Sequence, residues 1–129
     1  MSKTNSRPGY SLVEVLITLF IVAMALVLYQ VAASSIRLTR TAKHQGVALR
    51  VANDKMEELR AGGYDAMPVS GSFADPELDV LAENSAEINI TDFNSDTKQV
   101  LVQIQWREPG SATFRNLTLV TLVTKTGGL

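Results

Sequence analysis

From Tyr10 to Tyr29 the chain runs for twenty residues with a single charge, Glu14. Wound as an α-helix at about 1.5 Å per residue, such a run spans roughly 30 Å, the thickness of a bilayer's hydrocarbon core. It contains no Pro or Gly, so nothing breaks the helix from within. A plain membrane anchor would account for that much. Two details ask for more. A polar, basic leader ends in Gly9 at the edge of the apolar run, and a carboxylate sits one helical turn inside that edge. A lone carboxylate in an apolar run is costly and is expected to have a partner and a role; the plainer reading leaves it solvated at the membrane interface.

Charge placement adds a direction. Lys3 and Arg7 precede the apolar run and no acidic residue falls among the first nine, which favours a cytoplasmic N-terminus with the remainder across the membrane. Beyond Arg60 there are nine acidic residues against four basic ones. The net charge of −1 gives no sign of direct nucleic-acid binding. The absence of cysteine excludes disulfides and thiolate chemistry. With His44 the only histidine, a multi-histidine metal site within one chain is excluded. A conventional cleaved signal peptide has a shorter apolar region than this one.

Residues 1–9, with the turn signal Pro8-Gly9, read as a flexible leader. Residues 10–61 read as one helix of about fifty residues, roughly 75 Å long. Its first part, 10–29, suits lipid. Its second, 30–61, is amphipathic, with Leu38, Ala42, Gln45, Leu49, Ala52, Met56 and Leu59 stepping by fours and threes along one expected packing face. Gly46 is expected to mark a bend or a close contact, and Gly62-Gly63, after Arg60 in the last turn, to stop the helix. Residues 62–86 read as a loop in which Leu78, Val80 and Leu81 form a short buried turn. From 87 to 125 strand patterns take over. Val100, Val102, Ile104 and Trp106 alternate with Gln99, Gln103, Gln105 and Arg107, the stretch from Phe114 to Thr124 is rich in Leu, Val and Thr, and Glu108 to Thr113 reads as the hairpin loop between them. Residues 62–129 are thus expected to form a small globular part with about three antiparallel strands, whose apolar face covers the amphipathic half of the helix. The fold class is α+β.

At Gly9-Tyr10-Ser11-Leu12-Val13-Glu14-Val15-Leu16 the chain resembles the type IV prepilin and type II secretion pseudopilin family. The likeness is specific over residues 7–29 and rests on architecture beyond them. The family pattern is a basic leader ending in Gly, an aromatic first mature residue, an apolar helix, and Glu at its fifth position. Gly9, Tyr10 and Glu14 match it; Tyr10 departs from the usual Phe but keeps the ring. The resemblance implies a pilin-like fold in which a long N-terminal helix packs on a small antiparallel sheet. It implies cleavage between Gly9 and Tyr10 by a membrane prepilin peptidase, and N-methylation of Tyr10 by the same enzyme. It further implies no enzymatic activity and no cofactor. The partners would be other pilin or pseudopilin subunits and an inner-membrane assembly platform. The protein would begin in the bacterial inner membrane with its C-terminal part periplasmic, then enter a pilus or pseudopilus. Val51 to Arg60 resembles the helix end of minor subunits, pilin V and pseudopilin I above all, which implies a role in initiating assembly. After cleavage the amine of Tyr10 and the carboxylate of Glu14 would share one helix face at i and i+4. In a packed bundle Glu14 would pair with a neighbouring subunit's amine and set the register.

Other signals are weaker. Asp92, Asn94 and Asp96 have alternate spacing that could offer oxygens to Ca²⁺, but Thr97 and Gln103 stand where a helix–loop–helix site needs Gly and Glu, and a polar turn is the preferred reading. His44 is expected to be exposed, with no nucleophile and carboxylate placed beside it. Trp106 and Phe114 read as packing residues. The competing functional reading is an uncleaved single-pass membrane protein with a periplasmic binding domain; a membrane-tethered hydrolase is remote for want of a catalytic constellation.

Overall fold

The computed structural model describes residues 9–126, so Lys3, Arg7 and Pro8 of the leader lie outside the described residues. Helix α1 covers Leu12–Gly62 and is followed by β1 (Gly71–Ser72), a short 3-10 helix (Pro76–Val80), β2 (Ala82–Asn94), β3 (Thr97–Arg107) and β4 (Phe114–Thr124). The chain divides into two compact units, the first ending at Thr39 and the second beginning at Arg40.

The first unit is the leading part of α1. Its large apolar side chains, from Leu12 through Leu38, are exposed. It contains the one helical stretch among the described residues that is long and apolar enough to cross a membrane, with a mean hydropathy of 2.6 and none of it buried within the chain.

In the second unit, the rest of α1 packs on a four-stranded antiparallel sheet of order β1-β2-β3-β4. This is an α+β arrangement consistent with a pilin-like fold. β3 is the centre of the core. Val100, Val102 and Ile104 are fully buried and Trp106 is 2 % exposed, as the alternation predicts. Each such side chain contributes up to about 1.5–3 kcal/mol by leaving water. Ala86 and Ile88 of β2, Leu78 and Leu81, and Ala48, Val51, Ala52, Met56 and Leu59 of α1 complete the core. The β2–β3 register pairs Ile88 with Val102, and the β3–β4 register pairs Ile104 with Leu117 and Val102 with Leu119. The helix ends as expected: α1 stops at Gly62, and Gly63 takes φ +75°, the left-handed conformation that a glycine adopts without strain.

Four expectations need correction. The sheet has four strands rather than about three, and β2 starts at Ala82, five residues before the clear alternation begins. The polar start of β2 is held by its neighbours. Asn84 Nδ2 donates to the carbonyls of Leu78 and Leu81 at 2.9 Å each, and Glu83, at φ +48°, lies in the irregular register between Ala82 and Ser85. Val80 is exposed, whereas Leu78 and Leu81 are buried beside it. The helix seam is rotated in its upper part. Leu38, Ala42, Gln45 and Leu49 are exposed, and the seam is formed by Thr41, His44, Val47, Ala48 and Val51 before it merges with Ala52, Met56 and Leu59. Finally, Gly46 marks no close contact: α1 runs on through it, and a Cβ there would meet nothing within 4 Å.

Candidate functional site

The leading end of α1 is built by its own sequence. Ser11 caps the helix. Its Oγ accepts from the Glu14 backbone N–H at 3.2 Å, and its carbonyl accepts from the N–H groups of Glu14 and Val15 at 3.0 and 3.2 Å. A serine at this position satisfies donors that the first turn leaves free. Glu14 is the acidic residue of that first turn, where the helix dipole favours a negative charge. Thr18 Oγ1 donates to the Glu14 carbonyl at 2.8 Å.

Gly9 and Tyr10 precede the helix, and Tyr10 is 82 % exposed. A side chain at Gly9 would have no neighbour within 4 Å. The Gly9–Tyr10 peptide bond therefore lies in non-helical, open chain. Tyr10, Glu14, Val15, Thr18 and Leu19 line one shallow groove, although Tyr10 itself stands outside the helix, which starts at Leu12 and not at residue 10 as expected. Among the described residues no cation pairs with the Glu14 carboxylate.

At the β2–β3 hairpin the oxygens of Asn94 and Asp96 are engaged within the turn. Asn94 Oδ1 accepts from the Asp96 backbone N–H at 2.9 Å. The Asp96 carboxylate accepts from Lys125 Nζ at 3.3 Å and from Ser95 Oγ at 3.1 Å. The Lys125 hydrogen bond, then that of Ser95, then the Lys125 charge hold its pKa below the ordinary carboxylate value. Asp92 faces Lys98 across the β2–β3 ladder. This is a polar turn closed by Lys125, whose Nζ also donates to the Ser95 carbonyl at 2.8 Å. Among the described residues no group of three or more histidine or acidic side chains is placed to hold a metal.

His44 departs from expectation. It is not exposed: its side chain is 14 % accessible and its Nδ1 lies 2.9 Å from Glu108 Oε2, whose side chain is 11 % accessible. The other carboxylate oxygen accepts from Trp106 Nε1 at 3.0 Å. An ionised carboxylate only accepts, so His44 Nδ1 carries the proton. Burial pushes the Glu108 carboxyl up, but hydrogen bonds from Trp106 and His44 and the charges of His44 and Arg115 outweigh it, and the net pKa is lowered. A signal for this contact is present in the sequence. Glu108 continues the Val100/Val102/Ile104/Trp106 alternation, so it points toward the helix, and an acid on a buried face needs donors. The arrangement joins helix to sheet.

Comparison with protein-family models, curated proteins and solved structures gives no match to this chain. The functional reading therefore rests on the chain's own residues and on the motif at Gly9-Tyr10-Ser11-Leu12-Val13-Glu14.

Proposed function

We propose that this protein is a structural subunit of a type IV pilus or type II secretion pseudopilus, a minor pilin or pseudopilin that helps to initiate assembly. It is made in the bacterial inner membrane with its N-terminus cytoplasmic, cut between Gly9 and Tyr10 by prepilin peptidase and N-methylated on Tyr10. The observation that carries the reading is the combination at the start of α1. An open Gly–aromatic bond stands directly before a capped helix whose apolar surface is wholly exposed and whose one carboxylate, Glu14, has no cationic partner among the described residues.

The physical logic is one surface for two solvents. The apolar residues of 12–29 dissolve in lipid before assembly and pack against other subunits afterwards. In either setting an unpaired Glu14 is expensive. The new amine at Tyr10 of a neighbouring subunit stays cationic when methylated and offers Glu14 a charge-assisted bond. That bond fixes how far one helix slides along the next. The folded part from Arg40 onward has its own closed core.

Intact mass and N-terminal sequencing of protein from the native membrane test this. A chain starting at Tyr10 with one added methyl is the expected result. A chain retaining Met1 to Gly9 in a host with active peptidase would overturn it and leave the uncleaved membrane anchor with a periplasmic binding domain.

A further inference from the structure

The charges of α1 are sorted along its length. No charged residue occurs between Glu14 and Arg37. Wound as helix, the run from Val15 to Ile36 rises about 33 Å, close to the roughly 30 Å of a bilayer's hydrocarbon core. Arg37, Arg40 and Lys43 then follow at steps of three, and no acid appears from Val15 to Asn53. All three cations are exposed on the helix. Among the described residues none of them has an ion pair or a ring contact within the chain. Other basic residues of α1 do have partners: Arg50 lies 3.6 Å from Glu77, and Arg60 donates to Thr121 Oγ1.

With the uncharged run across a bilayer, Arg37 stands where the hydrocarbon ends. Arg40 and Lys43 follow about 4.5 and 9 Å further along the helix. The headgroup layer on each side is about 5–8 Å thick. Helical side chains lean toward the N-terminus, and long basic ones carry their charge to the end of a flexible stem. Each of the three therefore reaches back toward the lipid. Phosphates are plentiful in that layer, so each cation takes its own and no shared pocket is needed.

We infer that Arg37, Arg40 and Lys43 bind the phosphates of anionic phospholipids at the membrane face where α1 emerges. The occupant follows from charge and position together: three unpaired cations, with no acid near them in the sequence, adjoin the segment that is apolar enough to lie in lipid. A guanidinium grips a phosphodiester through two parallel N–H bonds, and an ammonium meets it as a point charge. The negative potential of an anionic leaflet adds to both. An acidic protein partner would have to displace headgroups to reach Arg37. The inference rests on the apolar run crossing a membrane and requires neither cleavage at Gly9 nor filament assembly.

Spin-labelled phosphatidylglycerol and phosphatidylcholine test this with the full chain reconstituted in phosphatidylcholine vesicles. At low salt the chain is expected to restrict the motion of the anionic probe several-fold more than that of the neutral one, and the excess to shrink as salt rises. Arg37→Gln with Arg40→Gln and Lys43→Gln is expected to lower the relative affinity for the anionic probe by about tenfold or more. Arg37→Lys with Arg40→Lys is expected to keep most of the preference, and Arg50→Gln to leave it unchanged. Lys3→Gln with Arg7→Gln measures the leader's share at the other end of the run, so the two ends are read apart. A preference that persists in the triple Gln variant would overturn the inference and leave the three cations to an acidic protein partner. Restriction of neither probe would overturn the membrane span as well.

Discussion

His44 Nδ1 and Glu108 Oε2 lie 2.9 Å apart across sixty-four positions of the chain, and the same carboxylate takes the indole N–H of the buried Trp106. One acid thus satisfies a helix residue and a strand residue together. Glu108→Ala leaves both donors facing a poorly hydrated space and is expected to lower stability by about 1–3 kcal/mol, whereas Glu108→Gln retains an acceptor and costs less. Urea melts of the two variants beside the parent check the order.

The same contact sets a pH dependence. The folded-state pKa of Glu108 lies below its ordinary value of 4.5, so the folded state favours the carboxylate. Its stabilisation is fully present above 4.5 and is lost as pH falls from there through the lowered value. Melting temperatures taken across this acid range should fall more steeply for the parent than for Glu108→Gln. Parallel slopes would assign the acid sensitivity to other carboxylates.

Gly46 is an exposed glycine in the interior of α1 with open space where a Cβ would stand. Gly46→Ala is expected to raise stability by about 1 kcal/mol through helix propensity alone. A thermal melt of the full chain in detergent reads this directly, and a loss would mean that the position is in contact after all.

Ile104 is fully buried at the centre of β3, whereas Val120 on β4 is half exposed. Ile104→Ala is expected to cost about 2–5 kcal/mol, and Val120→Ala well under half of that. Denaturant unfolding of the pair separates core packing from strand propensity, since both sites lie in strands.

Glu14→Ala removes the only acid of the apolar segment and leaves the folded part untouched. Processing between Gly9 and Tyr10 and the unfolding transition of the folded part should be unchanged. On the proposed filament function, incorporation into filaments should fall by about tenfold or more, because a neighbouring subunit's amine would be left as an uncompensated buried charge. Quantifying the protein in sheared filament fractions beside membrane fractions decides it, and normal incorporation would refute the register role.

The sequence by itself determined the features that depend on neighbours along the chain. The uninterrupted apolar run specified a helix and Gly62-Gly63 its end, and the alternation from Val100 to Trp106 marked the buried face of β3. Each follows from a local period or a local cap. Tertiary structure decided which side of α1 faces the sheet. Two seams, one through Gln45 and Leu49 and one through His44 and Ala48, have nearly the same spacing. The small Ala48 packs fully buried, and Glu108 supplies His44 with a partner, so the second seam prevails. The two-residue β1 and the polar start of β2 were illegible for a related reason. They are held by pairing with Ile88 and Glu87 and by the Asn84 contacts rather than by any pattern of their own. Periodicity fixes the faces that an element can offer, but the choice between near-equal faces is made by the groups that come to lie opposite.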